Sequence, residues 1–422
     1  MSSPLSARTK RISMHIANFT NTYLPVISGV VRSVRSFRDE LTRKGHNVFI
    51  FAPESDYTDE EPFIFRYPSL SLPIGVDIPT AIPISPFVDR VLPAIKLDVI
   101  HTHHPFLLGQ TAAAKAQELD LPLVFTFHTQ YREYTHYIPF SMETVQNFLK
   151  NAIDRWLQDF MSRCQHIIIP SESMRDILVN QYGLKNNFTV IPTGIELDAY
   201  QTANGEKIRT KRNWENDTVM ISVGRLAAEK NWGLLLQAVA LVRKDYPRFR
   251  LVLVGDGPER KSLEDLAKQL GIRKYVTFMG ALSFSEIPSY MKAANMFGFA
   301  SVTETQGLAT LEAMAAGLPV VAVDASGTRD ILKNGQQGYL VDNDPEALAA
   351  GVRKLLENPD RLQRFADAAY KRAQSFNIEK LTGRLLDVYE QAISDKKKNR
   401  FVTVAPPEPV AASVEDSLSQ AQ

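Results

Sequence analysis

The sequence predicts an α/β protein of two Rossmann-like domains whose parallel sheets face each other across a cleft. Three observations carry this. Short apolar runs of strand length alternate with amphipathic helical segments over most of the chain, the rhythm of parallel sheets covered by helices on both faces. The length, 422 residues, suits two or three domains at roughly 100–200 residues each. A polar stretch, ELDAYQTANGEKIRTKRNWENDT, breaks the alternation around residues 195–217. It divides a first domain, 12–192, from a second, 218–375, with 193–217 as linker.

Composition narrows the function classes. Lys plus Arg is 48 and Asp plus Glu is 47, a net charge of +1, which excludes a globally basic nucleic-acid binder and an acidic solvating chain. Apolar residues at 44% and charged residues at 23% are the mix of a chain that buries real cores. A single cysteine, Cys164, excludes a disulfide framework and any multi-cysteine metal site. No apolar run approaches the roughly 20 residues of a spanning helix. The opening MSSPLSARTKRISMHI lacks the apolar stretch of a signal peptide. A soluble or peripheral cytoplasmic protein is expected, with residues 1–11 flexible.

The first strand candidate, ISMHIANF, leads into TNTYLPVISGVVRSVRSF. Gly29 opens a helix there after a loop, a place suited to a phosphate because helix N-termini carry unpaired N–H groups. Residues 30–44 set Val30, Val31, Val34, Phe37 and Leu41 against Arg32, Arg35, Arg38 and Arg43. An apolar face with cations fits an interfacial helix on anionic lipid; a solvated helix face explains the same charges. Eight basic residues against two acidic ones over 1–44 sharpen the question, and three basic against eight acidic over 51–100 cancel the excess.

Further strand candidates are HNVFIFAP, LDVIHTH, LPLVFTFH, CQHIIIP and FTVIPTG. Five of the eight histidines lie between 101 and 136, yet HTHH is not a zinc spacing and no carboxylate or cysteine adjoins it, so no metal site is expected. His128 closes LPLVFTFH, where a ligand-facing residue belongs. Phe148, Leu149, Ala152, Ile153, Trp156, Leu157 and Phe160 recur at helical spacing, which core packing or acyl-chain contact would explain.

In the second domain TVMISVGR ends in Gly224 and Arg225, with Lys230 close behind. Ligands of open parallel sheets bind at strand carboxyl ends, and both cations suit phosphate oxygens there. FRLVLV ends in Gly255-Asp256-Gly257-Pro258, lacking the third glycine of a dinucleotide fingerprint. It reads as a tight turn into a helix with Pro258 at its first position. In TETQGLATLEAMAAGLPVVA, Glu304 lies on a loop and Glu312 inside the following helix. Thr305, Gln306, Gly307 and Leu308 form that helix's N-terminus, another phosphate site, with Gly307 allowing close approach. Asp342-Asn343-Asp344 resembles a metal-binding Asp-x-Asp, but Pro345 follows it, so Asp344 reads as a helix N-cap. FNIEKLTGRLLDVYEQAI is a further helix, assigned to 376–395, and 396–422 reads as a disordered tail.

GRLAAEKN, VGDGPE, VTFMGAL and ETQGLATLEAMAAGLPVVA together resemble the family 4 retaining glycosyltransferases of the GT-B fold. FTFHTQYREYTHYIPF, NTYLPVISGVVRSV and VIHTHHPFLLG resemble its lipid-acceptor branch, the diacylglycerol glucosyltransferases. The resemblance implies transfer of a hexose, glucose from UDP-glucose, to a membrane lipid such as diacylglycerol. It assigns Arg225 and Lys230 to the donor diphosphate, Glu304 to the sugar hydroxyls and Glu312 to the ribose. Gly29, Gln306, Gly307 and Leu308 would stand around the phosphates, Leu282 near the base, and His128 near the transferred sugar. Many members carry Gly-Gly where this chain has Ser28-Gly29. Catalytic roles are implied for His128, Glu304, Arg225 and Lys230, and contact with lipid for Arg32, Arg35, Arg38, Arg43, Tyr131 and Trp156. No metal or other cofactor is expected. The implied partners are a nucleotide sugar, a lipid acceptor and an anionic membrane surface, with no nucleic acid; the implied location is peripheral, on a membrane's inner face. A soluble sugar or metabolite acceptor stays open, as does a sugar-nucleotide epimerase or hydrolase, since a fold does not determine a reaction. The last helix is expected to cross back to the first domain.

Overall fold

The computed structural model describes residues 13–70, 80–82, 84–132 and 143–405, the side chains of 143–148 excepted. The first domain is built on a wholly parallel seven-stranded sheet in the order Ile64–Tyr67, Asn47–Pro53, His15–Phe19, Val99–Thr102, Leu123–Thr126, His166–Ile169, Phe188–Val190. The second carries a parallel six-stranded sheet in the order Val276–Phe278, Phe249–Val254, Thr218–Val223, Met296–Phe299, Val320–Val323, Gly338–Val341. Both are α/β sheets of the kind the strand–helix rhythm predicts.

The strands are apolar on both faces because helices cover both. Alternation then sorts neighbours to opposite sides. Ala17 and Phe19 enter one core of the first domain while Ile16 enters the other. Val219, Ile221 and Val223 face one core of the second domain and Met220 the other. In each sheet the winding reverses once, between His15–Phe19 and Val99–Thr102 in the first and between Thr218–Val223 and Met296–Phe299 in the second. Such reversals splay the loops at the strand ends apart and leave a crevice.

Two chain crossings join the domains, and they are hydrogen-bonded to each other. Ile195 N–H donates to Phe376 O at 2.9 Å, and Ile378 N–H donates to Ile195 O at 3.2 Å. The approach is close enough to require a glycine: a Cβ on Gly194 would stand 2.6 Å from Ile378 Cα. The final helix, Ile378–Lys397, then lies on the first domain, burying Leu381, Leu385, Tyr389 and Ala392 against the Gly29–Arg43 helix and its sheet.

Two expectations about the chain's organisation need correction. The 193–217 stretch is not an extended linker but carries helices Leu197–Gln201 and Gly205–Arg212. Tyr200 and Trp214 anchor them in the second domain's core, and Arg209 donates to Ala293 O at 2.8 Å. The polar surface of this stretch hid its two aromatic anchors. The tail is ordered further than its composition suggests. Val402 is buried, its N–H donating to Cys164 O at 2.9 Å, and Ala405 N–H donates to Gly183 O at 2.9 Å. Residues 406–422 and 1–11 lie outside the described residues.

The paired crossings lead to a stability prediction. Gly194→Ala should lower unfolding stability by about 1–3 kcal/mol, the usual cost of overpacking, read as a fall in the urea midpoint. An unchanged midpoint would show that the crossings are not held this closely.

Candidate active site

The strand ends of the second domain bring its charged residues together. Beyond Thr218–Val223 the chain turns through Gly224, Arg225 and a short 3-10 turn, Ala228–Lys230. The Gly255-Asp256-Gly257 segment holds this loop from below. A Cβ on Gly255 would stand 1.9 Å from Gly224 O and one on Gly257 2.4 Å from Leu226 O, while Leu226 N–H donates to Asp256 O at 3.0 Å. The glycines therefore serve backbone-to-backbone contact. Pro258 precedes the N-cap Glu259 of helix Arg260–Gln269 instead of occupying its first position. The Trp232 indole donates to Arg225 O at 2.9 Å and fixes the loop from the other side.

Lys230 Nζ donates to Glu304 Oε1 in a short, largely buried ion pair across the sheet reversal. Burial raises the Glu304 carboxyl's pKa, but Lys230 and the Ser301 hydroxyl outweigh it and hold the group below the ordinary value. The loop after Glu304 is pinned from both domains. Ser171 Oγ donates to Thr305 O at 2.6 Å from the first, and Gly327 N–H donates to Glu304 O at 3.0 Å from the second. Gly307 then caps helix Leu308–Ala315 with φ +82°, a left-handed conformation that glycine adopts without strain. The Gln306 side chain is buried and committed elsewhere: its Oε1 accepts from Thr193 N–H at 2.7 Å and its Nε2 donates to Thr193 O at 2.9 Å. It clamps the first crossing, and a donor-binding role for its side chain is not what this geometry offers.

Across the cleft, Gly29 faces Leu308, so that a Cβ on Gly29 would lie 3.6 Å from Leu308 Cδ1. The Ser28 hydroxyl accepts from Val31 N–H at 3.3 Å as N-cap of Gly29–Arg43. That explains the serine beside Gly29: it satisfies one of the helix's unpaired N–H groups itself. Asp344 likewise caps its helix, accepting from Ala347 N–H at 2.8 Å. Among the described residues no group of three or more His, Cys, Asp or Glu is placed to hold a metal ion.

The arginine stripe differs from expectation. Arg32 points across the cleft to Glu312, Nη2 to Oε1 at 2.8 Å, with its guanidinium 4.6 Å from the Phe284 ring centroid and 3.3 Å from the Tyr200 hydroxyl. Burial disfavours its charge, but Glu312, Tyr200 and Glu196 outweigh that and raise its pKa. Arg38 is buried, paired with Glu61, and donates to Pro62 O at 3.0 Å. Arg35 stands near Asp39 and Glu61, and Arg43, the most exposed of the four, is bonded to Glu40. A single lipid-facing row of Arg32, Arg35, Arg38 and Arg43 is therefore not formed. The acidic residues of 51–100 had entered the charge count, but not the possibility that Glu61 folds onto this helix. Arg32 itself is a cleft residue that its place in the helix's first turn, one turn after Gly29, could have signalled.

The histidines fill the first sheet's reversal. His103 Nε2 lies 3.0 Å from Asn18 Oδ1 and its Nδ1 2.9 Å from His128 Nε2. His101 bridges Thr126 Oγ1 at 2.7 Å and the Tyr389 hydroxyl at 2.8 Å. Burial holds all four of His101, His103, His104 and His128 neutral; His101 and His104 are pushed down to about 3. Beside them Tyr131 packs edge-on to Phe106 and Phe127, and Trp156 stands 6.2 Å from Phe106 at the rim. Leu157 and Phe160 of the same helix are core and Ile153 packs against it, while Ala152 and Trp156 are exposed, so packing explains part of that stripe. His136 and the side chain of Phe148 lie outside the described residues. Leu282 packs on the second domain's core next to the Phe284 loop.

Comparison with known proteins agrees with this architecture. Residues 27–199 match the model of Glycosyltransferase Family 4 and residues 204–372 that of Glycosyl transferases group 1. The α-monoglucosyldiacylglycerol synthase of Streptococcus pneumoniae is 34% identical over 365 residues, covering 82% of this chain and 79% of that one. The chain belongs to the group 1 glycosyltransferases of family 4. The glycosyltransferase is also 31% identical to the α-monoglucosyldiacylglycerol synthase of Acholeplasma laidlawii, over 83% of this chain and 90% of that one. A GDP-mannose-dependent α-mannosyltransferase of Corynebacterium glutamicum is 27% identical over 90% of each. Among solved structures, Anabaena HepE in complex with UDP and glucose superposes with TM-score 0.72 at 20% identity, over 89% of this chain and 99% of that one. The glycosyltransferase thus has the GT-B fold.

The three fully buried histidines of this glycosyltransferase, His101, His103 and His104, set a pH dependence. In the denatured chain each imidazole titrates near 6.5; in the fold it stays neutral far below that. The unfolded state therefore binds protons that the folded state excludes, and stability falls as pH drops below 6.5. Each such histidine adds a slope approaching about 1.4 kcal/mol per pH unit once pH is well below that value. The urea midpoint should accordingly be lower at pH 5.5 than at pH 7.5, a window in which carboxylates barely titrate. A flat profile there would mean that the cluster accepts protons in the folded state.

Proposed function

We propose that this glycosyltransferase moves glucose from UDP-glucose to a hydroxyl of diacylglycerol or a related membrane lipid, with retention of configuration. The observation that carries the reading is the likeness to two α-monoglucosyldiacylglycerol synthases over more than four-fifths of the chain. The cleft supplies matching chemistry. Arg225, exposed at the strand end, and Lys230 neutralise the donor diphosphate, and the backbone N–H groups at Gly307 and Leu308 receive its distal phosphate. Glu304 accepts from hydroxyls of the sugar, and Glu312 accepts from the ribose diol after exchanging its bond to Arg32. Leu282 stands near the base, and Gly29 approaches the phosphate from the opposite wall.

In the transfer, the bond from the sugar's anomeric carbon to the diphosphate oxygen breaks. A bond from that carbon to the lipid oxygen forms on the same face, and the hydroxyl proton passes to the departing phosphate. The cations and helix N–H groups stabilise the negative charge that grows on the diphosphate, which is electrostatic catalysis in a water-poor cleft. Neither a metal nor another cofactor is required in this scheme. The lipid reaches the site from a membrane's inner face, past Tyr131 and Trp156; no described helix is long and apolar enough to cross a membrane. A soluble acceptor is the second reading, supported by a 28% identical D-inositol 3-phosphate glycosyltransferase over 71% of the chain.

Radiolabelled UDP-glucose and GDP-mannose, each offered with diacylglycerol in anionic vesicles or with soluble acceptors, separate these readings. Glucosyl lipid is expected to dominate; transfer from GDP-mannose, or to a soluble acceptor without lipid, would overturn the assignment. Lys230→Ala and Glu312→Ala should each weaken UDP binding about tenfold, or roughly 1.4 kcal/mol, in calorimetric titration. Glu304→Ala should lower kcat more than it weakens binding, because its sugar contact strengthens in the transition state.

A further inference from the structure

We infer that Asn18 and His103 form a positioning chain that holds His128 as a hydrogen-bond acceptor toward the sugar-side substrate; the substrate half of this inference rests on the function proposed above. The chain begins on the sheet. Asn18 and His101 sit opposite each other in the pairing of His15–Phe19 with Val99–Thr102, at the reversal where the crevice opens. His103 follows one residue beyond the second of these strands, and His128 two residues beyond Leu123–Thr126 next to it. Three side chains from three strand ends thus come into a row.

The direction of the hydrogen bonds follows from the atoms at its buried end. Asn18 is buried and its Oδ1 can only accept, so the His103 nitrogen 3.0 Å away, Nε2, carries the proton. A neutral imidazole has one N–H, and His103 is buried without a carboxylate among its contacts with the described residues, which keeps it neutral. Its Nδ1 is then a bare lone pair. The only bond it can make to His128 Nε2, 2.9 Å away, is as acceptor. His128 must therefore spend its own single proton on His103. Its Nδ1 has no hydrogen-bond partner among the described residues, and His128 is only partly buried. What it offers the cleft is a lone pair.

Near-parallel rings keep the row rigid. His103 lies 5.2 Å from His128 at 26° and 4.3 Å from His101. His101 is held in turn by Tyr389 of the last helix. A ligand hydroxyl, a donor, is the group that such a nitrogen takes. A phosphate or carbonyl oxygen, an acceptor, would face it with no proton between them. The chain accordingly selects for a hydroxyl at this point of the substrate and turns away acceptor-only groups.

The test reads tautomers directly. In the full-length protein labelled with ¹⁵N-histidine, long-range ¹H–¹⁵N spectra should show His103 and His128 as neutral Nε2–H forms. Asn18→Leu should mix the two tautomers at His128 and lower kcat for glucosyl transfer about tenfold with a smaller change in KM. His103→Asn keeps an amide oxygen near the position of Nδ1 and should restore most of the kcat that His103→Leu loses. An Nδ1–H tautomer at His128 in the parent protein would overturn the inference, as would tautomers unchanged by Asn18→Leu. The expected tautomers in a protein that transfers no glucose would refute the proposed function while leaving the chain of hydrogen bonds intact.

Discussion

Everything in the cleft depends on two chain crossings lying side by side. The pairing of Ile195 with Phe376 and Ile378 fixes where the two sheets face each other, and Gly194 permits the contact. Gln306 ties the loop of the second domain to Thr193 at the first crossing, so the crossing and the candidate phosphate loop are hydrogen-bonded to each other.

Two ion pairs lie in the cleft, and Arg225 stands exposed at its strand end. Lys230 holds Glu304, and Arg32 holds Glu312 from the other domain. A buried ion carries a desolvation cost unless it is matched, so each pair offsets the cost of burying its two side chains. In the proposed reaction a diphosphate takes over Lys230 and a ribose takes over Glu312. Arg32 then loses its partner across the cleft, which links nucleotide entry to the relation of the two domains. The histidine row of the first domain is neutral by contrast, and adds direction without adding charge.

Much of the fold was legible because a buried parallel strand must be apolar on both faces. LPVVAV, TVMISVGR and CQHIIIP could hardly be anything else. Two of the four edge strands were not legible. Ile64–Tyr67 carries Arg66 among its four residues and Gly338–Val341 opens on a glycine, and pairing with a neighbour makes them strands. In the site, Arg225, Lys230, Glu304, Gly307 and Glu312 stood out because charged residues and glycine at strand ends are local signals. Arg32, Tyr200 and Asn18 did not, because their partners are 83 to 280 positions away along the chain. Gln306 stood in the motif, but its long-range bond to Thr193 was invisible in it. The arginine helix misled for the same reason: Glu61 neutralises Arg38 only after folding.

In the proposed reaction the strand ends of the second domain bind the nucleotide diphosphate while the first domain closes over the sugar. Amide hydrogen exchange in the presence of saturating UDP tests it most directly. Slowed exchange is expected at residues 225–231 and at 307–309, with UDP-glucose extending protection to residues around Gly29 and His128. Protection confined to the first domain, or none at 307–309, would contradict it.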